Sequence, residues 1–151
     1  MSTDTVNPAD IERGIAALVA ILQAHRSSLL RFLDASYPYH ARAAADVRRS
    51  LREMVDANVR QIAELGLLIE SLGGLTPPPP VHPEDQYCAF LSIAFILPKL
   101  LEDRRRLAQL CQTALAQWPG APDEVLSLLR SHLAELQADV VALEKSVRRG
   151  I

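Results

Sequence analysis

Apolar residues recur every three or four positions along four long stretches of the chain, and most of the Pro and Gly residues lie between these stretches. A spacing of three to four is that of an amphipathic α-helix with one buried face. Pro and Gly interrupt the pattern at the N-terminus, at Pro38, at residues 73–83 and at residues 119–122. Because these residues terminate regular structure, the pattern predicts four helices.

The first two predicted helices have clear signals at their ends. Asn7 is a suitable N-cap and Pro8 suits the first helical position, after which the apolar seam continues through residues 11–36. The second helix is predicted to begin after residues 37–39 and to end at Gly73-Gly74, because a glycine in the left-handed conformation commonly stops a helix.

The third and fourth predicted helices follow the proline-rich segment. The third is expected to open at Pro83 and to end before Trp118, with a kink at Pro98 inside it. The fourth is expected to begin at Pro122, with acidic residues in its first turn, and to continue to Arg148. Its apolar stripe has no polar interruption.

Four helices of similar length with one apolar stripe each predict an all-α four-helix bundle. The first and third connections are short, which makes helical hairpins of the pairs that they join. The middle connection, residues 74–82, contains four consecutive prolines and reaches roughly 28 Å in polyproline geometry. We expect it to be a long crossover between two hairpins; the alternative is a proline-rich surface turn in an up-down-up-down bundle.

Composition narrows the possible functions. The chain has 151 residues, of which 49% are hydrophobic, and its 16 basic and 18 acidic residues give a net charge of −2. We therefore expect a single domain over residues 1–151 with a disordered tail at 1–7, and no nucleic-acid partner, since no excess of basic charge attracts phosphate. No apolar run is long enough to span a bilayer, so a cytoplasmic protein that does not bind membranes is expected. Cys88 and Cys111 are interpreted as small buried hydrophobic residues in a reducing compartment.

Polar residues interrupt the apolar seams at mid-height of the predicted bundle. A buried polar group costs about 1–3 kcal/mol when it has no partner, so these positions are expected to form a cluster, either a binding centre or a satisfied network that fixes helix register. In such a network the arginine would pair with the aspartate, and the histidine of the first helix with an amide. The residues on the seams are His25, Asn58, Gln61 and Arg104, with Asp139 and His132 beside the seam of the fourth helix.

The order of a helix pair, a long crossover and a second helix pair resembles the ferritin-like superfamily, which includes the bacterioferritins. The resemblance covers roughly residues 11–147. It is carried by the Leu-Gly-Gly end of the second helix at residues 72–74 and by Ser28–Ala35 and Phe90–Pro98, which are similar to segments of uncharacterised bacterial ferritin-like proteins.

The resemblance implies a di-iron site made from a Glu on each of two helices and an E-x-x-H pair on each of the other two. At the implied positions the second helix has Asn58 and Gln61, the fourth has Leu136 and Asp139, and the first has His25. The third-helix position has no secure assignment within residues 97–104. The chain contains no E-x-x-H, and Arg104 would repel a cation, so we expect no metal and no cofactor.

These observations predict a non-enzymatic ferritin-like bundle that acts as a structural or interaction module, either as a homodimer or with a protein partner. Apolar residues outside the main stripes suggest a second buried face. Two other classes stay open: an iron-binding protein or oxidoreductase that uses non-standard ligands, and a carrier that holds a small apolar ligand near Asn58 and Gln61. The apolar residues outside the stripes are Leu30, Leu33, Val55, Val59 and Leu101.

Overall fold

The computed structural model describes residues 7–30, 45–79 and 93–149, and all regular structure in these ranges is helical. The prediction of an all-α protein with four helices is confirmed. None of the described helices is long and apolar enough to cross a membrane. The helices are α1, Pro8–Arg26; α2, Ala45–Ser71; α3, Ile93–Gln117; and α4, Asp123–Arg148.

Local sequence signals set several of the helix ends. The Asn7 side chain accepts a hydrogen bond from the backbone N–H of Ala9 at 3.1 Å, which caps α1. After α2, Gly73 adopts a φ of +86°, and the N–H of Gly74 donates to the carbonyl of Ile69 at 2.9 Å. The stop predicted at Gly73 is therefore confirmed, as are the end of α3 before Trp118 and the beginning of α4 after Pro122. The predicted start of the third helix, with Cys88, lies outside the described residues.

The first helix is shorter than its apolar seam predicts. α1 ends at Arg26 with Ser27 as C-cap, so the expected continuous helix over residues 11–36 is wrong at this point. The hydroxyl of Ser28 accepts a hydrogen bond from the backbone N–H of Leu30 at 3.2 Å and donates to Asp103 at 2.7 Å. A serine that bonds to nearby backbone competes with helical hydrogen bonding, which explains the interruption.

Each of the four helices packs mainly against two others. α1 packs against α2 and α3, and α4 packs against the same two helices. In two of these pairs the start of one helix contacts the end of the other. Gly14 near the start of α1 lies against Trp118 after α3, and Asp46 at the start of α2 pairs with Arg149 after α4 at 3.1 Å. Neighbouring helices are therefore antiparallel, and α2 and α3 run in the same direction at opposite corners of the bundle.

The core consists of two hydrophobic clusters, one toward each end of the bundle. One cluster surrounds Leu18, Leu65 and Leu129, and the other surrounds Leu51 and Leu100. The second cluster also contains Leu30 and Leu101, which are 0% and 7% exposed. The expectation that these two leucines belong to a face needing an external partner is therefore wrong, because the core of the bundle covers them. Leu33 lies outside the described residues.

Candidate functional site

A layer of buried polar side chains separates the two hydrophobic clusters. We call these residues the polar layer. Every side chain in the layer comes from a helix or from the turn after α1, and the predicted His25, Asn58, Gln61 and Arg104 are among them. The members are His25, Ser28, Asn58, Gln61, Arg104 and His132, all at most 3% exposed.

Arg104 supplies the positive charge of the layer. Its guanidinium donates to Ser28 Oγ at 2.6 Å, to Asp103 Oδ2 at 3.1 Å and to Asn58 Oδ1 at 3.4 Å. Burial lowers the pKa of Arg104, and the charges of Asp103 and Asp139 oppose that change. Because an arginine stays protonated in proteins, α3 holds a fixed cation at the centre of the bundle.

His25 is fixed by the amide of Asn58. Its Nδ1 lies 2.9 Å from Asn58 Oδ1, and Asn58 Nδ2 donates to the backbone carbonyl of His25 at 3.4 Å. An amide oxygen only accepts, so Nδ1 carries the proton and Nε2 carries the lone pair. Burial lowers the pKa of His25 to about 3, with a smaller contribution from the charge of Arg104. The ring is therefore neutral at physiological pH.

His132 is fixed in the same way by a carboxylate. Its Nε2 lies 2.7 Å from Glu64 Oε2, and this contact lowers the pKa of Glu64. Since the carboxylate accepts, Nε2 of His132 carries a proton, and in the neutral ring the lone pair is on Nδ1. Gln61 lies between Asn58 and Glu64 along α2, and its Nε2 donates to Glu135 at 2.8 Å.

Each of the two histidine rings has one buried nitrogen without a hydrogen-bond partner. Their centroids are 6.3 Å apart and the ring planes meet at 76°. Within the polar layer, His25 Nε2, His132 Nδ1 and Gln61 Oε1 are buried acceptors without a hydrogen-bond partner, and Arg104 Nε is a buried donor without one. Three acceptors without donors therefore lie in one region of the bundle, contributed by α1, α4 and α2.

Asp139 lies at the edge of the layer. It is partly buried, and burial raises its pKa to about 6 while the charge of Arg104 acts in the opposite direction. The hydrogen bonds of Arg104 go to Ser28, Asp103 and Asn58, so the Arg104–Asp139 pair considered from the sequence is replaced by these contacts. The carboxylate influences the layer through its charge.

Four residues of this region were not identified from the sequence as site residues: Ser28, Glu64, Asp103 and Glu135. Each has a polar partner on a different helix, more than 60 residues away in the chain. Glu64 has one detectable signal, because it follows Asn58 and Gln61 at three-residue steps on the same face of α2. The others occupy flanking positions that look like solvent-exposed helix residues in the sequence.

One cleft among the described residues lies away from the polar layer. It has a volume of about 330 Å³ and lies between α1, α3 and α4, beside Gly14, Leu18 and Trp118.

The residues of the layer do not fit a di-iron centre. Two irons need several carboxylate ligands, whereas the positions here hold amides and imidazoles. Within the described ranges, no three His, Cys, Asp or Glu side chains are grouped so that they could hold one ion.

Comparison with models of protein families, with curated proteins and with solved structures gave no match. Function is therefore argued from the geometry of this chain alone.

Proposed function

We propose that the chain is a ferritin-like four-helix scaffold that lacks the di-iron centre and associates with a second copy of itself through the outer face of α2. The proposal has two parts, the ferritin-like connection of the helices and the self-association. The exposed surface of α2 is the observation that supports self-association.

The direction of the helices supports the ferritin-like connection. Since α2 and α3 run the same way, Ser71 at the end of α2 and Ile93 at the start of α3 lie at opposite ends of the bundle. The first part of the link between them follows the α1–α2 hairpin back: Gly74 lies beside Ile15, and the carbonyl of Pro77 accepts a hydrogen bond from Arg26 at 2.6 Å. One long crossover between two hairpins is the arrangement of ferritin-like bundles.

The outer face of α2 is a stripe with apolar residues in its middle and opposite charges at its ends. Val59 is 64% exposed and Leu67 is 69% exposed, and Ala63 between them is also exposed. Contiguous exposed apolar surface of this kind commonly marks a contact with another protein. The residues of the stripe are Arg52, Asp56, Val59, Ala63, Gly66, Leu67 and Glu70.

This stripe is complementary to itself in the antiparallel direction. When two copies of α2 are placed antiparallel about residue 61, Arg52 of each copy faces Glu70 of the other, and Val59 faces Ala63. The paired segment extends for about 27 Å along the helix, and the small Ala63 and Gly66 allow close approach of the backbones. Such isologous pairing produces a two-fold dimer, and this charge pattern favours a second copy over an unrelated partner.

The experiment compares two matched substitutions by sedimentation equilibrium. The native chain is expected to be a dimer, and Val59→Glu is expected to be a monomer because a charge then lies in the apolar centre of the interface. Val141→Glu is the control, since Val141 is 52% exposed on α4 and outside the stripe. It should leave the dimer intact, and circular dichroism verifies that both variants are folded. A native monomer, or equal dissociation by both variants, contradicts the proposal.

A further inference from the structure

The strongest unexplained feature of the molecule is the set of three buried acceptors in the polar layer. Each atom belongs to a side chain that is at most 1% exposed: His25 Nε2, His132 Nδ1 and Gln61 Oε1. Buried polar atoms nearly always have a partner in native proteins. Arg104 Nε is the one unpartnered donor of the layer, so at least two of the three acceptors need a ligand that accepts electron pairs or supplies hydrogen atoms.

We infer that this region binds one divalent ion of the zinc class, with His25 Nε2 and His132 Nδ1 as the nitrogen ligands and Gln61 Oε1 as an oxygen ligand. Neutral imidazole is a ligand for zinc and its neighbours in the periodic table, and a mixed nitrogen and oxygen set suits a four-coordinate ion. Such a mononuclear site needs neither a pair of carboxylate-bridged ions nor an E-x-x-H sequence.

The second nitrogen of each ring supports this assignment. Histidines that bind metals almost always donate their other N–H to a carboxylate, a carbonyl or water, which fixes the ring and selects the tautomer. His132 donates to Glu64 at 2.7 Å, and His25 donates to Asn58 at 2.9 Å. Both lone pairs are thereby held on the unpartnered nitrogens.

The separation of the rings allows one ion to bind both. When one zinc ion binds two imidazole rings through zinc–nitrogen bonds of about 2.0–2.1 Å, the centroids of the two rings lie at most about 6.4 Å apart. The centroids of His25 and His132 are 6.3 Å apart, within this limit. If the two rings move about 1 Å closer together, the angle between the two zinc–nitrogen bonds becomes tetrahedral.

The charges around the layer also accommodate a cation. The nearby carboxylates are Glu64, Asp103, Glu135 and Asp139, and the nearby guanidinium groups are those of Arg60 and Arg104. The carboxylates thus outnumber the guanidinium groups by two. A divalent ion would balance this difference despite the local repulsion from Arg104.

The test is a titration of the metal-free native chain with Zn²⁺ by calorimetry and with Co²⁺ by absorption spectroscopy. We expect one ion per chain, visible absorption of four-coordinate Co²⁺, and a rise in Tm on addition of Zn²⁺. His25→Gln and His132→Gln should each abolish binding, and Glu64→Gln should weaken it about 10-fold to 100-fold, because it removes the group that fixes the ring of His132. His82→Gln, which removes another histidine of the chain, should bind Zn²⁺ as the native chain does.

A second measurement does not depend on the folding of any variant. In a nitrogen-15 spectrum of the native histidine rings, Zn²⁺ should shift the resonances of His25 Nε2 and His132 Nδ1 together, in proportion to the ion bound. Two results would overturn the inference. One is that neither Zn²⁺ nor Co²⁺ binds at concentrations up to about 1 mM, which corresponds to a binding free energy of only about 4 kcal/mol. The other is that an ion binds without shifting the resonances of these two nitrogens. The acceptors would then be assigned to internal water.

Discussion

Gly14 of α1 lies directly against the indole ring of Trp118, at the end of α3. A Cβ atom added at Gly14 would lie 2.1 Å from Cζ3 of the ring, closer than any two such atoms approach in proteins. The absence of a side chain at residue 14 therefore lets the single tryptophan of the chain close this end of the bundle.

Replacing Gly14 by alanine should destabilise the protein although alanine favours helix formation. The added methyl group forces the ring or α1 to move, and overpacking of this kind typically costs about 1–3 kcal/mol. Urea unfolding measures the change. Gly120→Ala is the control, because nothing lies within 4 Å of a Cβ there. Equal stability of the two variants would contradict the packing described for Trp118.

Asn58→Leu should destabilise the protein through the polar layer. The leucine is similar in size but provides no acceptor, so His25 Nδ1 loses its partner, at a cost of about 1–3 kcal/mol. Gln112→Leu, at an exposed position of α3, makes the same kind of change on the surface and should alter the free energy of unfolding by no more than about 0.5 kcal/mol. A loss of the same size in both variants would show that the amide of Asn58 makes no specific contribution.

Asp139 should make stability depend on pH with a definite sign. Its pKa is about 6 in the folded chain and 3.8 as a free side chain, so between about pH 4 and about pH 6 the folded state binds more protons at this site than the unfolded state. Its contribution to stability is therefore largest below about pH 4 and decreases as the pH rises through about 6.

The variant Asp139→Asn should accordingly be more stable than the native chain at about pH 8, and this advantage should disappear toward about pH 4. Thermal unfolding across this range measures the difference. Glu102→Gln, at an exposed position on α3, controls for the loss of one negative charge. An advantage that is constant with pH would contradict the burial of Asp139.

Cys111 should be unreactive while the protein is folded. It is 0% exposed, and burial raises the pKa of its thiol to about 11, so almost no thiolate is present at neutral pH. In a Cys88→Ser background, a disulfide reagent such as dithiobis(nitrobenzoate) should modify Cys111 only as fast as the chain unfolds. Rapid modification without denaturant would contradict the packing of α3.

The helix ends could be predicted because they depend on local sequence. Asn7 and Gly73 act through contacts within a few residues, and both act as expected. The end of α1 at Arg26 could not be predicted, because Ser28 interrupts the helix partly through Asp103, 75 residues later. Leu30 was assigned to a second apolar face for the same reason, because the helix ends before it and the core covers it instead.

The candidate site could be predicted only in part. His25, Asn58, Gln61 and Arg104 are polar residues on apolar seams, a pattern that is visible in the sequence. The sequence suggested an amide as the partner of His25 but not which of Asn58 and Gln61, and it suggested Asp139 for Arg104, because hydrogen bonding depends on how the helices align along one another. The tautomers of the histidines, on which the metal inference depends, follow from these partners.

The most direct measurement of the central claim, self-association through α2, uses the variants Arg52→Glu and Glu70→Arg, separately and mixed. In the antiparallel dimer each variant alone places like charges opposite one another at both ends of the stripe. Exposed ion pairs contribute about 0.2–1 kcal/mol each, so the loss of two pairs should make each variant dimerise roughly 2-fold to 30-fold more weakly than the native chain.

The mixture of the two variants should restore the affinity. The glutamate introduced in one chain then faces the arginine introduced in the other at one end of the stripe, and the native pair of Arg52 with Glu70 is retained at the other end. Sedimentation should therefore detect a heterodimer of near-native affinity. Variants that dimerise like the native chain, or a mixture that stays as weak as its components, would contradict the account.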